Sequence, residues 1–149
     1  MKTNLIIRPY QIEDCKHLCP LYAQLGYPVS VKGLEQRLSK LLTHDDYHFW
    51  IAAIDEYPVG FIGFARMYMF EADEDYIRIL ALVVDKDYRR EGIAAVLVEK
   101  IKQFAKESGV QSLALNSGIT NERESAHLFY QNQGFEKSSF GFKCRLSSP

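Results

Sequence analysis

The sequence predicts an α/β fold of mixed α+β character: a mixed central sheet of about six to seven strands with helices on both faces. Two observations predict it. Short β-branched runs alternate along the chain with longer segments whose apolar residues recur every three or four positions. At one place the two kinds join directly. Tyr76-Ile77-Arg78-Ile79-Leu80-Ala81-Leu82-Val83-Val84 reads as a largely buried strand, a polar turn Asp85-Lys86-Asp87-Tyr88 follows, and from Gly92 the period turns helical.

Taken in order, Leu5-Ile6-Ile7-Arg8 is a short first strand. Gln11 to Leu25 carries Ile12, Cys15, Leu18, Cys19, Leu21, Tyr22 and Leu25 at helical spacing, with Pro20 inside predicting a kink or two short helices. Gly26-Tyr27-Pro28 breaks that pattern. Ser30 then caps a second helix through Leu42, whose stripe is Leu34, Leu38, Leu41 and Leu42. His48 to Ile54 is a strand, and Asp55-Glu56-Tyr57-Pro58 is the turn into the next, Val59 to Phe70. Gly60 and Gly63 mark bulges or close packing there. Glu71-Ala72-Asp73-Glu74-Asp75 is a hairpin loop leading into the strand at Tyr76.

Beyond the polar turn, Arg89-Arg90-Glu91-Gly92-Ile93-Ala94 opens a helix with Ile93, Val96, Leu97, Ile101 and Phe104 on its apolar face. Gly109 ends it as a left-handed cap. Ser112 to Asn116 is a buried strand. Asn121 is the N-cap of a last helix, with Glu124 placed as in a capping box, and Gly134 ends it. Phe135 to Leu146 supplies one or two closing strands, divided near Ser138-Ser139.

The strand-to-helix junction is chemically suggestive. The first backbone N–H groups of a helix lack internal partners, and the helix dipole adds partial positive charge there. Gly92 and Ala94 are small enough to let an anion approach, and Arg89 and Arg90 bring full charge beside them. The other reading of this short pattern is a plain connection that needed a glycine.

At 149 residues the chain is one domain, 1–149, able to bury about 70% of its unfolded surface. A net charge of −1 argues against nucleic acid or anionic membrane as general partners. No apolar run reaches the ~20 residues of a membrane span, and Arg8 follows Leu5-Ile6-Ile7 too soon for a signal peptide. An odd cysteine count (Cys15, Cys19, Cys144) points to free thiols and a cytoplasmic setting. Cys15, His17 and Cys19 lack a second ligand pair at zinc spacing, and His44-Asp45-Asp46-Tyr47-His48 reads as a loop, so no metal is expected.

A second motif lies downstream, Arg123-Glu124-Ser125-Ala126-His127-Leu128-Phe129-Tyr130-Gln131-Asn132-Gln133-Gly134-Phe135. With Leu82-x-Val84-Asp85 and Arg89-x-x-Gly92-x-Ala94, it resembles the GCN5-related N-acetyltransferase (GNAT) superfamily, in the form of its small-molecule branch. The resemblance implies the acyl-CoA N-acyltransferase fold, with a gap between the fourth and fifth strands for the pantetheine arm. It implies acetyl-CoA as cosubstrate, its pyrophosphate held by Arg89, Arg90, Glu91, Gly92, Ile93 and Ala94. It implies further that the Leu82 backbone N–H stabilises the carbonyl oxygen, that Val84 pairs the pantetheine, and that Tyr130 serves the leaving thiolate.

Two departures accompany it. Histone-type members carry a glutamate where this chain has Arg78, which cannot act as a base. Asp75, Glu74, Glu71 or a water chain then remain open as proton acceptors. Arg123 stands where many relatives have an asparagine that touches the pantetheine; either Asn121 or Asn116 substitutes, or that contact is absent. The expected activity is N-acetylation of a small primary amine by direct attack in a ternary complex. A protein or peptide N-acetyltransferase and a non-catalytic acyl-CoA-binding domain are the alternatives. The acceptor amine and the choice between monomer and homodimer stay open.

Overall fold

The computed structural model describes residues 4–117 and 124–146. The chain divides into two compact units, Met1–Leu115 and Asn116–Pro149.

The first unit is a five-stranded sheet in chain order: β1 (Leu5–Pro9), β2 (Tyr47–Ile54), β3 (Tyr57–Tyr68), β4 (Asp75–Val84) and β5 (Ser112–Leu115). Neighbours run antiparallel except β4 and β5, which are parallel and joined through helix α3 (Ile93–Glu107). Two more helices, α1 (Cys15–Leu25) and α2 (Val31–Leu41), fall between β1 and β2.

Alternation along β2 shows how the faces are shared. Phe49 and Ile51 join Phe61 and Val83 beneath Leu18, Leu21, Leu34 and Leu38 of α1 and α2. His48 and Trp50 point the other way, and both pack against Phe64 of β3 and Phe104 of α3. Helices therefore cover both faces. Burial holds the His48 imidazole below its usual pKa, with Asp46 opposing.

Pro20 does not divide α1. One helix runs through it, preceded by a single 3-10 turn at Ile12–Asp14. Losing one N–H costs a helix of this length a hydrogen bond, and the buried stripe Cys15, Leu18 and Leu21 offsets it. The corner before α1 is held by Asp14, whose carboxylate takes two short bonds from Arg8, 2.7 and 2.8 Å, and one from the Gln11 N–H. Burial works against that charge, but the guanidinium and the amide outweigh it and hold the Asp14 carboxyl below its usual pKa.

Ser30 caps α2 by accepting from the Gly33 N–H, 3.0 Å. Leu41 proves exposed, so the buried stripe of α2 is Leu34 and Leu38. In α3 the buried face is Ile93, Leu97, Val98, Ile101 and Ala105; Val96 looks outward, and Val98 takes the core place expected of it. Gly109, with φ 74°, is the left-handed residue after the helix.

Sheet irregularities sit at both expected glycines. The β2–β3 register shifts between Ala52 and Ala53, opposite Gly60, and the β3–β4 register shifts at Gly63. A Cβ on Gly60 would stand 2.9 Å from the Val83 carbonyl oxygen, which requires glycine there.

In the second unit, α4 (Glu124–Asn132) ends at Gly134, φ 95°, where the Phe135 N–H reaches back to the Tyr130 carbonyl at 3.0 Å. The expected closing strands are not found among the described residues: 135–146 form no ladder, and the sheet has five strands rather than six or seven. Phe140 and Phe142 alternate as a strand would but stay 86% and 94% exposed. Alternation marks a face, whereas a strand also needs a partner for its backbone groups.

Candidate functional site

The centre of interest is β4. Its ladder with β5 runs only from Tyr76↔Ser112 to Ile79↔Leu115, while β4 itself continues to Val84. The break coincides with a bulge. Gly63 faces Ala81 and Phe64 faces Ile79, so Leu80 is an extra residue in β4, half exposed. It also exchanges the faces of the strand. Ile79 lies beside Phe64 on the α3 side, whereas Val83 lies beside Phe61, which stacks on Tyr22 of α1 at 5.2 Å.

Among the described residues, β4 beyond the bulge has no strand partner on its second side. The Asp85 N–H donates to the Val59 carbonyl at 2.8 Å, so by antiparallel alternation Val83 directs its backbone groups to β3. Leu82 and Val84 direct theirs away from β3, where β5 has already ended. Both side chains are half-buried. The β4–β5 ladder therefore ends five residues before β4 does.

The turn after β4 is densely held. A 3-10 turn at Lys86–Tyr88 is capped by Asp85, whose carboxylate accepts from the Asp87 N–H at 3.1 Å, and the Tyr88 N–H returns to the Asp85 carbonyl at 2.8 Å. From α1, Gln24 accepts from the Lys86 N–H at 2.9 Å and donates to Asp85 at 3.4 Å. Arg89 spends one of its five donors on the Val84 carbonyl, 3.1 Å away.

Arg90 and Gly92 both adopt left-handed backbone, φ 64° and 83°. For arginine this conformation costs on the order of 1 kcal/mol, a local strain in the loop. A Cβ on Gly92 would meet nothing within 4 Å. Glycine is therefore needed for its φ, and the space beside it is open. Ile93, the first residue of α3, is buried, Ala94 is half-buried, and Arg89, Arg90, Glu91 and Gly92 are exposed. Gly92 caps α3 with no side chain, so the first N–H groups of that helix lack a side-chain acceptor at the cap. Open strand edge, left-handed turn, helix N-terminus and two arginines thus follow one another within eleven residues, 82 to 92. Such a run can hold an extended amide-bearing chain and then a diphosphate.

Asp75 stands at the far end of β4, seven residues before Leu82, or about 20 Å at the rise of a strand. Its Oδ2 takes Nε and Nη2 of Arg66 at 2.9 and 2.7 Å. Glu71, Asp73 and Glu74 are exposed in the hairpin loop beside a fully exposed Phe70. Arg78 lies over the Tyr76 ring at 5.9 Å. Cys15 is buried with its thiol 2.9 Å from the Tyr10 hydroxyl, and His17 packs on Tyr57 at 4.4 Å.

Tyr130 belongs to the second unit, half-buried on α4 between Phe129 and Phe135, with ring centroids at 5.4 and 5.9 Å. Asn121 and Arg123 lie outside the described residues. Sequence reasoning missed Gln24 and the bulge at Leu80. A lone glutamine at a helix end carries no signal, and a continuously apolar strand hides a change of face.

Comparison with known proteins identifies the family and the fold. The acetyltransferase (GNAT) family model matches residues 11–135. Human N-acetyltransferase 8 is 34% identical over 96 residues, covering 64% of this chain and 41% of that protein, so this chain corresponds to less than half of that relative. A GNAT family acetyltransferase structure from Staphylococcus aureus superposes with a TM-score of 0.85 at 29% identity, covering 97% of this chain and all of that one. An aminoglycoside N-acetyltransferase solved in complex with CoA shares the fold with a TM-score of 0.81 at 18% identity, covering 97% of this chain and 95% of its own. Among the described residues no helix is long and apolar enough to cross a membrane.

Proposed function

The chain belongs to the acetyltransferase (GNAT) family, and on that premise we propose that it moves an acetyl group from acetyl-CoA to a primary amine of a small molecule, within one domain spanning 1–149. One observation carries the reading: the edge of β4 that β5 leaves unpaired is followed, after one 3-10 turn and the adjacent Arg89 and Arg90, by the glycine-capped N-terminus of α3. The residues present fit the cosubstrate. An amide-bearing arm finds backbone partners at Leu82 and Val84, and a diphosphate finds Arg89, Arg90 and the N–H groups around Glu91 to Ala94. The small-molecule assignment is supported by the likeness of this fold to that of an aminoglycoside N-acetyltransferase with CoA bound.

Acetyl-CoA, when bound, supplies the thioester. The chain supplies the rest. The Leu82 N–H would donate to the thioester oxygen as charge develops, and a fixed backbone dipole needs no reorganisation to do so. The Tyr130 hydroxyl would donate to the departing sulfur. That role rests on the second motif. Asp75 is proposed as proton acceptor only through a chain of waters, because about 20 Å of strand separates it from Leu82.

That separation favours a second reading. Asp75 is the only acidic residue of β4, so a domain that binds acyl-CoA without turnover is also consistent with the site. Purified protein, acetyl-CoA and an amine library in a coupled assay for free CoA decide between the two. Turnover with one class of amine is expected. CoA binding with no release on any amine would leave the binding-only reading standing, and no CoA binding would remove both.

A further inference from the structure

The loop that would hold the diphosphate is tied to a helix sixty residues earlier, and among the described residues a side chain of that helix, Gln24, makes the tie. Gln24 lies in the last turn of α1, half-buried, one residue before Leu25 and the left-handed cap Gly26, φ 101°. Its carboxamide touches two groups of opposite kind at the start of the loop. The Lys86 N–H donates to Oε1 at 2.9 Å, and Nε2 donates to Asp85 Oδ1 at 3.4 Å. Chemistry settles which end is which: an N–H can only donate, and an ionised carboxylate can only accept. A planar amide can serve both at once. Carboxylate, ammonium or thioether cannot.

The position of that contact matters. Asp85 Oδ1 also accepts from the Asp87 N–H, and the Asp85 N–H is held by Val59 of β3. The segment leaving β4 is therefore held from β3, from itself and from α1. Beyond it come Arg89, which leans on Val84, and the two left-handed residues Arg90 and Gly92. A loop that stores backbone strain persists in one shape only if its surroundings over-determine it. At the start of the loop Gln24 is a side chain from outside it that does so.

We propose that Gln24 is a positioning residue, holding the Asp85–Gly92 loop in its anion-receiving shape before the ligand arrives. This rests on the CoA reading of the loop. In wild type nearly every molecule is then binding-competent. Without the clamp the competent shape becomes one of several, and the apparent affinity falls by the fraction remaining. Losing both bonds lowers that fraction about tenfold. Acetyl-CoA KM rises to match while kcat stays near wild type, since the loss falls on ground state and transition state alike.

The test uses free CoA as probe, with calorimetric Kd, apo melting temperature and amide hydrogen exchange at Lys86. Gln24→Met keeps the shape and loses both bonds; Kd should rise about tenfold and Lys86 should exchange faster, with Tm lowered by no more than about 4 °C. Gln24→Glu keeps the acceptor for Lys86 but sets a carboxylate against Asp85, so CoA binding should weaken. Adding Asp85→Asn restores a donor in the reverse sense, and the double variant should return to within about threefold of wild-type Kd. A lowered Tm with unchanged Kd in Gln24→Met and Gln24→Glu would make Gln24 structural and overturn the proposal, as would failure of the double variant to recover. Wild type that does not bind CoA would overturn the site reading and this one with it, whereas wild-type binding with indifferent variants overturns the clamp alone.

Discussion

The two halves of β4 are made of similar residues and meet different fates. Tyr76 to Ile79 is paired on both sides, with β3 and β5; Leu82 to Val84 is paired, among the described residues, with β3 only. Composition does not separate them, since Ile77-Arg78-Ile79 and Leu82-Val83-Val84 would both pass for interior strand. Two features of the tertiary structure do. The bulge at Leu80 redirects the strand, and β5 ends at Leu115. An unpaired strand edge is ordinarily a liability that proteins cover or charge. Here the open half leads into a glycine turn and a helix N-terminus, and in the proposed function acetyl-CoA would cover those backbone groups.

Removing the bulge tests the comparison most directly. Deleting Leu80 makes Ile79↔Phe64 and Ala81↔Gly63 consecutive pairs, so Ala81 and Val83 keep their places beneath α1 and α2 and only the local bend of β4 is lost. The protein should still fold, and the CoA-dependent rise in Tm should be lost as the strand beyond the bulge is re-aimed. An unchanged CoA shift would show that the bulge does not aim the site.

Next in size is Gly92→Glu, which puts negative charge into the open space beside the α3 N-terminus. The CoA-dependent rise in Tm should vanish. Because φ 83° is strained for any side chain, Gly92→Ala is the control: it should lose about 1 kcal/mol of stability and keep the CoA shift. If Gly92→Glu keeps the shift too, the anion site lies elsewhere.

Tyr130→Phe removes only a hydroxyl. If it protonates the departing sulfur, kcat should fall by about 10²-fold while CoA affinity and Tm hold. Full activity in this variant would falsify the general-acid role. The reverse pattern, about 1 kcal/mol of stability lost with turnover intact, would make it a structural tyrosine.

The smallest effects belong to the paired half. Asp75→Asn breaks a partly exposed ion pair with Arg66, so stability should fall by less than about 1 kcal/mol. With Leu82 about 20 Å away and water between, kcat should fall by about threefold to tenfold; an unchanged kcat would remove Asp75 as the acceptor, and a drop beyond about 10²-fold would make it a direct base. The acidic loop of Glu71, Asp73 and Glu74 can act on a cationic acceptor only through its field, over a distance that about 0.15 M salt screens. Neutralising Glu71 and Asp75 together should raise KM for a cationic amine modestly and flatten its dependence on salt. Equal turnover of neutral, anionic and cationic amines by wild type would remove that preference.

What the sequence by itself determined was local. Helical and strand periods, the Ser30 cap, the left-handed glycines at 109 and 134, and the Arg89–Ala94 turn depend on neighbours within a few residues, and the chain displays them directly. Gly60 and Gly63 marked irregular places because a missing side chain is legible without a partner. Tertiary structure alone decided the rest. That Leu80 is extra, that β5 stops short, that Gln24 reaches Lys86 across the fold, and that 135–146 form no ladder are facts about pairing between distant segments. Val96 and Val98 show the limit on a single helix: both are valines near the edge of the apolar stripe, and only the sheet beneath selects which one is buried.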